Sequence, residues 1–142
     1  MNRLNKFSFF VAFAIIFTTG CSDKVSVTGT VKYTDGEPLT QGSVFFRNTD
    51  GTHMFHGALD SSGAFALGEI RDGDGIPSGT YTAWIAGANT SDYEQDAAGN
   101  LLGRTVSIVI DPKYESPETS GLSFEIDKSR NRIEIEVERP RR

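Results

Sequence analysis

Between Lys24 and Tyr33 the side chains alternate without a break. Val25, Val27, Val31 and Tyr33 share one face with Gly29 in line, while Lys24, Ser26, Thr28, Thr30 and Lys32 share the other. A period of two with β-branched residues marks a half-buried strand; a helix would repeat its apolar face every three or four residues. The same alternation returns near the end, where Ile133, Ile135 and Val137 interleave with Glu134, Glu136 and Glu138. No segment carries a helical stripe.

The rest of the chain is read with the same rule. Strands are predicted at Ser43–Arg47, His53–Leu59, Ala64–Leu67, Thr80–Ala86 and Thr105–Ile110, and around Leu122, Phe124 and Ile126. In the fifth strand Tyr81, Ala83 and Ile85 face together; in the sixth Val106, Ile108 and Ile110 point inward. Turn chemistry separates them. Asp35-Gly36-Glu37-Pro38 pairs a glycine free to take positive φ with a proline of fixed φ, and Asp60-Ser61-Ser62-Gly63 reads as a hairpin turn. Arg71–Gly79 is a loop, Gly87–Gly103 a long exposed excursion, Asp111–Gly121 irregular, and Lys128–Asn131 the last turn.

Fifteen glycines and five prolines in 142 residues suit many short strands. The spacing predicts an all-β fold, a seven- to eight-stranded Greek-key β-sandwich over residues 25–138, with a small barrel as the alternative. The expected core is Val27, Val31, Val44, Phe46, Phe65, Tyr81, Ile85, Val106, Ile108, Phe124, Ile126, Ile133, Ile135 and Val137.

Ahead of this domain stands a different composition. Arg3 and Lys6 make a short cationic start, and Phe7–Phe17 is an apolar run with one serine and no charge. It is shorter than the ~20 residues that a bilayer-spanning helix needs, and fits the core of a signal peptide. Thr18-Thr19-Gly20-Cys21 closes it with small residues before the chain's one cysteine. This arrangement resembles the bacterial lipoprotein signal, although Thr18 stands where that signal commonly has an aliphatic residue. The resemblance implies diacylglycerol transfer to the Cys21 thiol, cleavage after Gly20 and further acylation, palmitate included, of the new amino terminus. Residues 1–20 are then the signal peptide, 21–24 a lipidated tether and 139–142 a basic tail. The expected partner is a membrane, through lipid on Cys21. The expected location is the cell envelope, facing the periplasm or exterior, and Ser22 after the cysteine favours the outer membrane.

The formal net charge of −5 becomes −7 once Arg3 and Lys6 leave with a leader that holds no acid. Sequence-independent nucleic-acid binding depends on lysine and arginine meeting phosphate, so this balance argues against it and against docking on anionic lipid.

The residues offer little chemistry. His53 and His56 fall on opposite faces of a strand, which disfavours a shared metal, and no third histidine completes a zinc site. No Gly-x-Ser-x-Gly element marks a nucleophile, and no cofactor is implied. Asp72-Gly73-Asp74-Gly75 resembles a fragment of a calcium loop, but lacks the longer run of oxygen ligands that calcium takes. Of the nineteen acids, many alternate outward as a solvated face. Trp84 is placed outward with Thr82 and Ala86. It is a candidate platform for sugar or protein, or else a residue covered by the Gly87–Gly103 excursion or turned inward by a slipped register.

One further resemblance covers nearly all of residues 21–138. Val27-Thr28-Gly29-Thr30-Val31, Asp35-Gly36-Glu37-Pro38-Leu39 and Gly42-Ser43-Val44-Phe45-Phe46 look like the start of a transthyretin-like, carboxypeptidase-regulatory-like domain. Gly63-Ala64-Phe65, Ile76-Pro77-Ser78-Gly79-Thr80-Tyr81, Asp111-Pro112-Lys113-Tyr114 and Thr119-Ser120-Gly121-Leu122 follow in the same order. The series is similar to that of small lipoproteins abundant in planctomycetes. It implies a prealbumin-type sandwich and an envelope location, and no established reaction. The Tyr-Arg-Gly-Ser ending of transthyretin-like purine-pathway hydrolases is absent here, which argues against that activity. Two readings remain: a non-catalytic binding or structural module that contacts envelope protein or polysaccharide, and a small carboxylate-dependent envelope hydrolase.

Overall fold

The computed structural model describes residues 23–129 and 131–141. It is an all-β sandwich. The strands are β1 (Lys24–Val25), β2 (Val27–Tyr33), β3 (Ser43–Asn48), β4 (Met54–Ala58), β5 (Ala64–Ala66), β6 (Ile76–Pro77), β7 (Gly79–Ala86), β8 (Asn89–Gln95), β9 (Leu101–Ile108), β10 (Leu122–Ile126) and β11 (Asn131–Val137). A single 3₁₀ turn, η1 (Pro112–Glu115), is the one helical element among the described residues.

One layer has the order β10-β7-β3-β4, all antiparallel. The other has the order β11-β2-β5, with β11 parallel to β2 and β5 antiparallel to it. The first long strand and the last thus lie side by side. Their parallel register, Val27 beside Asn131 through Tyr33 beside Val137, carries the chain's two clearest alternations. The inner residues Val27, Val31, Ile133, Ile135 and Val137 meet Val44, Phe46, Tyr81, Ala83 and Ile85 from the other layer in one buried cluster. Burying a side chain of this size contributes ~1.5–3 kcal/mol.

Gly29 sits at the centre of the three-stranded layer because no side chain fits there. A Cβ would lie 2.4 Å from the Ile133 carbonyl oxygen and 2.5 Å from the Phe65 ring. The Asp60–Gly63 turn closes as expected, with the Gly63 N–H donating to Asp60 O and the Asp60 N–H to Ala64 O. Beyond it the pairing shrinks to one bridge, His56 with Gly68, because Ala64–Ala66 is drawn into a ladder with β2. The turn therefore joins the two layers at their edge.

The structure corrects the expected core at three positions. Val106 and Ile108 are 52% and 43% exposed, and Phe124 is half-buried. Phe124 packs on the cluster from edge strand β10. Val106 and Ile108 belong to β9, whose ladder partner is β8 and which joins neither layer. The Gly87–Gly103 segment, expected to be a long exposed excursion, is exposed over most of its length but holds β8, the hairpin turn and the start of β9, which with β8 makes a two-stranded ribbon. Its turn is tied by Asp96, whose Oδ1 accepts from the Ala98 and Asn100 N–H groups at 2.9 Å. Leu39, Phe55, Leu67 and Ile76, outside the expected core, are fully buried.

The sandwich has two distinct ends. At one, Lys24–Val25 pairs with Ile76–Pro77, and the start of β2 lies beside the start of β11. At the other, the Tyr33 hydroxyl donates to Val109 O at 3.1 Å and the Val109 N–H to Ala88 O, which sets the base of the ribbon. The seven residues of β2 separate the two by about 20 Å.

Candidate functional site

The two layers present different outer faces. On the three-stranded layer Lys32 lies between Glu134 and Glu136, the second at 3.4 Å, among Thr28, Thr30 and Arg132. The Lys32 ammonium is held above its usual range, first by its hydrogen bond to Glu134. This is a solvated, charge-paired face.

The outer face of the four-stranded layer is aromatic. Register places His56, Phe45 and Trp84 in one row across β4, β3 and β7. Phe45 stacks on Trp84 with centroids 5.4 Å apart and on His56 at 5.9 Å, all three planes being close to parallel. The Arg47 guanidinium lies 5.8 Å from the Trp84 ring and pairs with Glu118 at 3.3 Å. Trp84 points outward, as alternation requires, and is half-buried by this row. Its cover comes from Phe45 and Arg47, and the ribbon's strands ladder only with each other.

His53 stands in the turn before β4, with Nδ1 2.8 Å from the Thr52 hydroxyl and its ring against Phe55. It is apart from the row that His56 joins. Asp72 and Asp74 do not converge: Asp72 Oδ2 accepts the Ala58 N–H at 3.3 Å, and Asp74 Oδ2 accepts the Arg71 N–H at 3.2 Å. Among the described residues no three histidine, cysteine or acidic side chains gather as a metal site. Gly20 and Cys21 lie outside the described residues.

The acids have a structural use that their abundance concealed. Asp60 Oδ1 accepts the Ser62 N–H, the Ser62 hydroxyl and the Ala64 N–H at 2.7–3.0 Å. Asp50 and Asp127 bind Thr52 and Ser129 in the same way, and Asp96 binds Asn100. Each of these carboxyls is held below the usual range, and hydrogen bonding from its own turn is the leading cause. Asp60, Asp72 and Arg132 do line one open depression of about 490 Å³. A general acid has to keep its proton near neutrality. Asp60, stabilised as the anion, is poorly suited to that task. A turn staple is the better account.

The basic tail is not loose at Arg139. Its guanidinium lies 3.8 Å from the Tyr33 ring centroid and pairs with Asp35 at 3.1 Å and with Glu37. Arg141 approaches Asp111 and Glu138 at 3.7 Å.

No family model and no curated protein matches the chain. Among solved structures it is similar to the major pilin subunit of Bacillus cereus, BcpA, in its D312A form: TM-score 0.47, 13% identity, 83% of this chain and 30% of that one covered. The BcpA structure without that substitution gives 0.42 at 10% identity, covering 82% and 30% of the two chains. A 9R-lipoxygenase from Cyanothece gives 0.36 at 12% identity, covering 80% and 16%. The chain thus spans under a third of each of these proteins, and the likenesses carry no argument about function.

Proposed function

We propose that this chain is an envelope lipoprotein, held by acyl chains on Cys21, whose sandwich is a non-catalytic module for contact with envelope protein or polysaccharide. The observation that carries the reading is the position of β1. It begins at Lys24, three residues after Cys21, and is paired into one end of the sandwich. An acylated Cys21 would hold that end close to a bilayer and leave the outer faces and the ribbon open. Several acyl chains are needed for stable anchoring, since one alone holds only marginally. The described core runs from Val27 to Val137, so a cut after Gly20 removes no strand of it.

We read the domain as transthyretin-like on the motifs themselves. The quoted glycine and proline motifs fall at β2, at the turn after it, and at β3, β5, β6–β7 and η1, in sequence. The aromatic row around Trp84 is the apolar surface the sandwich itself offers to a partner. A hydrolase is not favoured, because both carboxylates on the depression, Asp60 and Asp72, are taken up by hydrogen bonds from backbone N–H groups.

The test is mass spectrometry and fractionation of the chain and its Cys21→Ser variant. Acyl mass on Cys21, with release of the variant from membranes, is the expected result. An unmodified thiol, or a variant that sediments like the parent, would overturn the anchor. Pull-down from the native envelope and a glycan array, each with Trp84→Ala alongside, then test the contact surface.

A further inference from the structure

The order β11-β2-β5 makes β11 an edge strand, and among the described residues nothing ladders with its outer side. At seven residues it is longer than the other edge strands of the sandwich, β4 and β10 at five and β5 at three. It has no proline and no register shift against β2. The Asn131 N–H donates to Ser26 O, and the Val137 carbonyl accepts the Thr34 N–H, so the odd-numbered residues bond toward β2. Main-chain groups of successive residues point to opposite sides of a strand. Those of Arg132, Glu134 and Glu136 therefore face the open edge. The Asp111 N–H donates to Glu138 O, which closes that edge at its far end only. An open edge is a template for another strand, and natural chains guard it with charge, proline or a bulge.

Here the charges invite a copy instead of repelling it. At even positions the sequence reads Lys128, Arg130 and Arg132 before Ile133, and Glu134, Glu136 and Glu138 after it. We propose that β11 pairs with β11 of a second copy, antiparallel, about a two-fold axis at Ile133. In that register Arg132 of each copy lies directly opposite Glu134 of the other, on the outward face. The main-chain groups of these residues, turned to the open edge, close the hydrogen-bonded pairs of the ladder. Neighbouring registers meet like charges. An axis at Glu134 or at Arg132 sets that residue against its own twin, and an axis at Ile135 sets Glu134 against Glu136. Within one copy Lys32 serves both Glu134 and Glu136, while Arg132 has no ion pair among the described residues. The three-stranded layers then join as one six-stranded sheet, an isologous contact. Each copy already covers its own core, so main-chain bonds and charge pairs carry the contact, and salt weakens it. The start of β11 stands beside the start of β2, and the axis lies two residues further on. If Cys21 is acylated, the two tethers flank the axis roughly 13 Å apart along the strands, and one bilayer can hold both. The pairing itself does not rest on the anchor.

The experiment follows association of the full chain in mild detergent by sedimentation, for the parent, Arg132→Glu, Glu134→Arg and an equal mixture of the two variants. The parent is expected to dimerise reversibly. Each variant alone sets like charges across the axis and should associate at least about tenfold more weakly. The mixture restores opposite charges at both places and should associate like the parent. Both side chains are exposed, so circular dichroism should match the parent throughout. If a reversal disturbs it, Arg132→Gln takes its place, expected to weaken association and to lower its dependence on salt. A mixture no tighter than its components, variants that associate like the parent, or a parent monomeric at every concentration would overturn the pairing. The series is repeated in a Cys21→Ser background, where the same pattern is expected. Its loss there would assign the association to the lipid and also overturn the pairing, while the anchor is judged separately, by acyl mass on Cys21.

Discussion

Strands β11 and β9 are written alike and end differently. In β11 Ile133, Ile135 and Val137 alternate with acids, and all three are buried against β2 and the opposite layer. In β9 Val106 and Ile108 alternate with Thr105 and Ser107, and every residue of the strand is exposed. Alternation states that a strand has two unlike faces. It does not state that its own chain covers the apolar one. What separates the two is the partner: β2 brings β11 into a layer with a core beneath it, whereas β8 pairs with β9 alone and brings no layer behind it.

The largest effect that would break this contrast lies in the core. Phe46→Ala removes a ring packed among Phe65, Tyr81 and Phe124, and should cost about 3–5 kcal/mol in denaturant unfolding. Val106→Ala, measured at low protein concentration, should stay within about 0.5 kcal/mol of the parent. Equal losses would mean that the ribbon is packed after all. Gly29→Ala comes next. Its Cβ would press on the Ile133 carbonyl and the Phe65 ring, and unfolding experiments should show a loss of about 3 kcal/mol.

Ser120→Ala is smaller. The buried Ser120 hydroxyl donates to Ala83 O at 2.6 Å and accepts the Leu122 N–H at 3.2 Å, tying the segment before β10 to β7. Its removal should cost about 1–2 kcal/mol. The smallest effect is one of pH. Asp50, Asp60, Asp96 and Asp127 have folded-state values depressed by their turns, so between folded and unfolded values the unfolded chain binds more protons. Their stabilisation is full above about pH 4 and fades as pH falls through the folded values. These groups are solvent-exposed, so melting temperatures should decline gently with acid, with no step between pH 5 and 8. A step in that range would place a different group in control.

The sandwich was legible because each of its long strands carries its own signal. Val27–Val31, Val44–Phe46, Tyr81–Ile85 and Ile133–Val137 alternate within a few residues and are bounded by glycine or aspartate turns. Leu39 and Ile76 were not legible, since each is a lone apolar residue beside a turn, buried by tertiary position. Leu67, two residues past Phe65 in the same expected strand, shares that residue's face and could have been read. Strand β8 was missed because Asn89-Thr90-Ser91-Asp92 has weak strand propensity, and its pairing is dictated by β9. The five residues Asp96-Ala97-Ala98-Gly99-Asn100, with Gly99 at φ 84°, were the hairpin signal that would have found it. At the surface, outward placement of Trp84 followed from alternation, but its stacking on Phe45 needed the β3–β7 register, which only long-range pairing sets.

Amide hydrogen exchange tests the central claim most directly, because it reads the sandwich and the ribbon in one molecule. The amides of β2 and β7, and those of β11 that bond toward β2, should exchange slowly and those of β8 and β9 quickly. Ribbon amides as slow as those of β2 would contradict the division between a self-covered sandwich and an exposed ribbon.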